Sequence, residues 1–139
     1  MDKNISKHIT FYEATVTPLS IKHIIKNIPN AKQLLAMQNI ANKCFEPLRE
    51  WYEKPIKINS FFRNDKLNTV VGGAPTSQHL KGEAIDLTGG SKAENKKLFD
   101  WLKNNVEFDQ LINEYNYSWV HVSLKLSSVN RKQILAIGK

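Results

Sequence analysis

The period of apolar and polar positions changes several times along the chain, and each change marks an element. Over residues 31–53, Leu34, Leu35, Ala41, Cys44, Phe45, Leu48, Trp51 and Tyr52 recur at helical spacing and predict one amphipathic stretch. Asn30 with Gln33 offers a capping box at its start, because the Asn oxygen accepts from an otherwise unpaired backbone N–H. Pro47 has no N–H to give to residue 43, so a kink or break is expected there. A shorter helix is expected over residues 20–27, stopping before Pro29. Residues 55–60 alternate in polarity and read as a strand, and residues 84–87 as a second, shorter one. Ser91 with Glu94 forms a capping box ahead of Leu98, Phe99, Trp101, Leu102 and Val106, which predicts another helix. Residues 108–115 and 118–124 read as two strands joined by a tight turn at Asn116-Tyr117. Helices come first, then strands with one helix inserted, which predicts an α+β fold on a small, mainly antiparallel sheet packed with helices.

Composition narrows the class without choosing a function. The 139 residues suit one domain, expected over residues 1–139, and no repeat or Gly/Ser-rich linker divides them. At 41% hydrophobic and 24% charged residues the chain is an ordinary globular one, and no apolar run approaches the length of a membrane span. The first 18 residues carry early lysines but no continuous apolar stretch, so no secretory leader is expected. Cys44 is the sole cysteine, which excludes an intrachain disulfide and a thiolate cluster and fits a small buried hydrophobe. The net charge of +7 points to an anionic partner, either nucleic acid or the acidic polymers of a bacterial wall. The basic residues are scattered in runs no longer than Lys96-Lys97, so charge alone does not decide between the two.

The segment Gly72-Gly73-Ala74-Pro75-Thr76-Ser77-Gln78-His79-Leu80-Lys81-Gly82-Glu83-Ala84-Ile85-Asp86 is the most informative. It sets a His and an Asp seven positions apart, with Gly82 between them to turn the chain. A catalytic zinc takes three protein ligands from imidazole and carboxylate groups and keeps one position open. His79 and Asp86 supply two such groups, and His121 in Trp119-Val120-His121-Val122-Ser123 supplies a third. Singly, each histidine reads as well as a loop or strand residue with a hydrogen bond. The other two histidines, His8 and His23, have no comparable context. Gly72 and Gly73 shape a turn and, with no Lys-Ser/Thr after them, do not make a phosphate loop.

These residues resemble a known family. Ser77-x-His79-x-x-Gly82-x-Ala84-x-Asp86 matches the signature of zinc D-Ala-D-Ala carboxypeptidases and the related L-alanyl-D-glutamate endopeptidases, and Trp119–Ser123 looks like their second metal motif. Residues 58–68, around Arg63, are similar to the family's Ser-Gly-Tyr-Arg stretch, with Phe61-Phe62 in place of Gly-Tyr. That replacement is expected to modulate substrate fit. The resemblance runs from about His8 to Ser123 and takes a compact form common in phage and prophage proteins. Such a protein would reach a wall by lysis, by another route, or as part of a phage.

The resemblance implies a hedgehog/DD-peptidase-like fold, one Zn²⁺ on His79, Asp86 and His121, and hydrolysis of a peptidoglycan stem peptide by a monomer. It also implies a general base near the last histidine. If Asn116-Tyr117 forms a two-residue turn, Tyr115 pairs with Ser118 and Glu114 with Trp119, which sets Glu114 on the face of His121. Arg63 carries a planar fork suited to a carboxylate or a polarised carbonyl, the alternative being an ion pair with Asp65. Ser77 is placed at the substrate or in the loop turn, Trp119 in the cleft or the core, and Ser123, flanking the last ligand, at the substrate. The bond cut, D-Ala-D-Ala or L-Ala-D-Glu, stays open. Two other classes stand behind the peptidase: a non-catalytic wall-binding module that keeps its zinc, and a basic nucleic-acid-binding protein. The second leaves the ordered motifs unexplained, so no specific nucleic acid is expected.

Overall fold

A computed structural model describes residues 4–138; residues 1–3, which open the segment read above for a leader, and Lys139 lie outside it. The chain begins with a small hairpin, β1 (Asn4–Ser6) and β2 (Ile9–Thr10), which runs into α1 (Phe11–Thr15) through a reciprocal capping box between Thr10 and Glu13. The helix expected over residues 20–27 is displaced: α2 spans Pro18–Lys22, with Thr17 as its cap and Pro18 in the first turn, where a missing N–H costs nothing. It ends because Ile24 turns left-handed at φ 53° and Ile25 N bonds back to Ser20 O.

The long amphipathic stretch forms α3 (Ala31–Ile40) and α4 (Glu46–Tyr52), and the Asn30–Gln33 capping box is complete. Between the two helices lies one π turn, Ala41–Phe45, which delivers Glu46 N to Ala41 O. Pro47 thereby falls in the first turn of α4, so its missing donor is absorbed in a wider turn and the backbone stays helical. The buried stripe is Ala36, Met37, Ile40, Ala41, Cys44, Phe45, Leu48 and Tyr52. Leu35 faces solvent, because two positions from Met37 is roughly 200° around a helix. Trp51 is likewise outside, with its ring centroid 5.6 Å from that of Trp101.

Next come β3 (Lys57–Ser60), α5 (Asp65–Val71), β4 (Ala84–Thr88) and α6 (Lys92–Asn105). Ser91 caps α6, yet the expected box is only half formed, since the Glu94 carboxylate turns away to Tyr52, Lys54 and Lys97. Three strands complete the chain: β5 (Gln110–Glu114), β6 (Trp119–Ser123) and β7 (Gln133–Ile137). The sheet order is β3-β4-β6-β5-β7, antiparallel except for β7, which crosses over to run parallel to β5. The expected α+β architecture with a mainly antiparallel sheet is what the molecule has. Alternation puts Ile58, Ile85, Leu87, Leu111, Val120 and Val122 into one core with Phe45, Leu48, Leu98 and Leu102. The other face carries Asp86, His121, Ile112, Glu114 and Trp119, aligned by the pairs Asp86↔His121, Ile112↔His121 and Glu114↔Trp119.

The β5–β6 turn is wider than expected, holding Tyr115, Asn116, Tyr117 and Ser118, the first three at φ 50°, 55° and 62°. Tyr115 N bonds to Ile137 O on β7 and is unavailable to pair with Ser118, while Asn113 Oδ1 accepts from Tyr117 N inside the turn. Opening the loop by one residue on each side leaves the register unchanged, so Glu114 still faces Trp119. No helix of the described residues is long and apolar enough to cross a membrane.

Candidate metal centre

His79 sits on one 3₁₀ turn, Gln78–Lys81, which Ser77 caps by accepting from His79 N at 3.2 Å. Gly82 ends that turn at φ 74°, and a Cβ there would meet Gln33 O at 2.6 Å, so both conformation and space demand glycine. Gln33 also holds the turn onto α3 by donating to Leu80 O. The chain then enters β4, which places Asp86 beside His121.

His79 Nδ1 donates to Phe61 O at 2.7 Å, which fixes the tautomer and leaves the Nε2 lone pair facing the cleft. Nε2 lies 3.2 Å from Asp86 Oδ2 but is buried without a hydrogen bond. His121 Nδ1 is 2.8 Å from Asp86 Oδ1, and one donor atom from each of the three residues lies within 4.8 Å of the others. The edges of a tetrahedron on ~2.0–2.1 Å bonds are roughly 3.3 Å, so these spacings suit one cation. Two imidazoles and one carboxylate, with a buried orphan nitrogen aimed inward, make a donor set that fits a divalent metal of zinc's chemistry. Burial opposes the charge on Asp86, but the two imidazoles beside it, with a hydrogen bond from His121, outweigh it and hold the carboxyl far below its ordinary range.

Arg63 enters the same space from the loop after β3. Its Nε donates to Ser60 Oγ and its Nη1 to Asn68 Oδ1, both at 3.1 Å, and Nη2 lies 3.6 Å from Asp86 Oδ2. Asp86, not Asp65, is thus its anionic neighbour. Gly73 gives this pair room, since a Cβ there would fall 2.1 Å from Asn68 Oδ1. Behind the arginine, buried Asn27 donates to Thr15 O and Phe62 O and accepts from Asn64 N, tying the N-terminal segment to the Arg63 loop.

A cleft of about 600 Å³ opens over the three donors, lined also by Arg63, Ser77, Gln110, Ile112, Glu114, Trp119 and Arg131. Glu114 Oε2 is 3.9 Å from His121 Nδ1. Burial first, and then the Asp86 charge, raise the Glu114 pKa. Ser123 is a correction: it is fully buried, and its hydroxyl accepts from Gln110 N, so it braces β5 and does not face the cleft. Phe61 and Phe62 are also core residues, so their departure from Gly-Tyr acts on packing and leaves the cleft wall untouched.

Sequence reading missed Asn27, Asn68, Gln78, Gln110, Ile112 and Arg131. Gln78, next to a candidate ligand, carried a positional signal; the others have none, because only the fold brings them here. Among the described residues, the buried side-chain N and O atoms without hydrogen bonds are Gln78 Oε1, His79 Nε2 and Trp119 Nε1, all on cleft residues. Unsatisfied buried groups are rare, and each calls for a partner such as water, an ion or a ligand.

Comparison with known proteins agrees with this geometry. A zinc D-Ala-D-Ala carboxypeptidase from Streptomyces albus G is 48% identical over 40 residues, a stretch that is 29% of this chain and 16% of the relative. The chain therefore matches well under two thirds of that protein's length. The family model for peptidase M15 matches residues 7–123, most of the chain. That span contains Arg63, all three candidate ligands and Glu114, and the chain belongs to the peptidase M15 family.

Proposed function

We propose that the chain is a single-domain zinc peptidase that hydrolyses peptide bonds in bacterial peptidoglycan stem peptides. The observation that carries this reading is the convergence of one donor atom each from His79, Asp86 and His121 within 4.8 Å in an open cleft, with Glu114 beside them. His79, Asp86 and His121 would hold the ion. Zinc, when bound, supplies Lewis acidity, polarising the scissile carbonyl and acidifying water at its open position.

The chain's own groups do the rest. Glu114 takes the proton of the attacking water and passes it to the departing amine; its raised pKa brings it nearer to both tasks. Arg63, held on two sides by Ser60 and Asn68, offers its remaining N–H groups to a substrate carboxylate or to the developing oxyanion. Trp119 walls the cleft next to Glu114 and limits access of bulk water. Ser77 keeps the His79 turn in shape and lines the same space as the substrate. The net charge of +7 favours approach to an anionic wall.

The test is cleavage of defined muropeptides by the zinc-loaded protein, with released fragments identified by mass spectrometry. Glu114→Gln is expected to lower kcat roughly 10²–10⁴-fold while bound zinc stays at one per chain. An unchanged rate would remove Glu114 from the chemistry, and no released fragment from any stem peptide would end the proposal.

A further inference from the structure

One charged group in the cleft is not used by this chemistry. Arg131 lies in the crossover between β6 and β7, outside the residues matched by the family model, and lines the cleft at the Gln110 end of β5. Fully buried Asp109 holds it there: Arg131 N, Nε and Nη2 reach Asp109 oxygens at 2.8, 3.1 and 2.6 Å. That clamp occupies one edge of the guanidinium, and no hydrogen bond among the described residues engages Nη1. The side chain is 49% exposed. Lys125 Nζ stands 3.8 Å from the same Asp109. Two cations therefore share one carboxylate, which leaves this cluster with one net positive charge.

We propose that Arg131, braced by Asp109 and bordered by Gln110, forms a second binding subsite that receives an ionised carboxylate of the peptide substrate away from the scissile bond. Ile112 pairs with His121, and Gln110 lies two residues further along β5, roughly 7 Å at strand rise. An extended peptide covers about that distance in two residues, so the carboxylate recognised belongs to a residue about two positions from the bond cut. Arg63 and Arg131 then frame the metal site from opposite sides, and the enzyme selects peptides that carry an acidic group in addition to the reacting segment. This rests on the peptidase reading above.

The experiment uses two stem peptides that differ only in one carboxylate, free or amidated, two residues from the bond cleaved. With the zinc-loaded protein, amidation is expected to raise KM roughly tenfold and change kcat less than twofold. Titration calorimetry on zinc-loaded Glu114→Gln is expected to show the same ratio in Kd. Arg131→Gln alone strands a buried Asp109 charge, so the variant of choice is the neutral pair Asp109→Asn with Arg131→Gln, its folding checked by thermal melting. It should bind both peptides alike. If it does not fold, Arg131→Lys, which keeps the charge but loses the fork, should cut the discrimination at least threefold. Equal KM and Kd for acid and amide in the wild type, or discrimination that survives these changes, overturns the subsite. Failure of the wild type to cleave either peptide counts against the peptidase reading, while the calorimetric ratio still decides the role of Arg131.

Discussion

At the scale of single residues, the site depends on side chains held by hydrogen bonds from outside the three candidate ligands. His79 is oriented by Phe61 O, and Arg63 by two short polar side chains, Ser60 at the end of β3 and Asn68 in α5. Asn27 shows how a residue far from the chemistry fixes it, because two of its hydrogen bonds hold the residues on either side of the arginine and a third ties them to α1. Asn27→Ala is expected to cost about 2–3 kcal/mol in chemical denaturation, since buried carbonyls lose their donors, and to lower kcat/KM through Arg63 with zinc affinity kept. Cys44 behaves as its apolar neighbours in sequence imply. Burial, and then the nearby Glu107 charge, push its pKa up to about 12. The thiol is expected to resist a thiol reagent in the native protein and to react fully in denaturant. Because the folded pKa lies above the unfolded one, this group's contribution is complete below about pH 8.5 and is lost as pH climbs toward 12.

At the scale of elements, turns decide where ligands land. Gly82 sets the length and direction of the path from His79 to Asp86, against the Gln33 carbonyl. Gly82→Ala is expected to destabilise by about 1–3 kcal/mol from backbone strain alone, and more from the clash, with a parallel loss of zinc affinity measured by competition with a chelating dye. The β5–β6 hairpin shows the opposite tolerance. Its turn is wider than a two-residue one, but symmetric widening preserved the Glu114–Trp119 pair, and with it the face on which Glu114 stands. The π turn before Pro47 is a similar accommodation, absorbing a missing donor without breaking the helical path.

For the whole molecule, the three candidate ligands come from a 3₁₀ turn and two neighbouring strands, so a bound ion ties separate parts of the chain together. Zinc at a hundredfold excess over its Kd is expected to add about 2.7 kcal/mol, or on the order of 10 °C in Tm, and a chelator should reverse it. Acid should act at Asp109 as well as at the metal centre. Burial works against Asp109, but hydrogen bonds from Arg131 and its charge lower the pKa below the ordinary value. A carboxylate depressed in the folded state contributes stability above its unfolded pKa, about 3.9, and loses it as pH falls through the folded value. The melting temperature is therefore expected to drop below about pH 4, and less steeply in the neutral Asp109→Asn, Arg131→Gln pair.

The sequence by itself determined the long helices, strands β3 to β6 and the candidate ligand set. Local spacing governs helical and strand periodicity, a glycine marks the left-handed exit at Gly82, and the alternation of β6 puts Trp119 and His121 on one face whatever surrounds them. It also allowed Glu114 to be paired with Trp119, because a hairpin register is a local property. Only the tertiary structure decided what lay far apart in the chain: that Arg63 faces Asp86 and not Asp65, that Ser123 is buried behind β5, and that the crossover to β7 brings Arg131 to the cleft. Those positions follow from strand order and core packing, to which every element contributes at once, and no window of neighbouring residues contains that information.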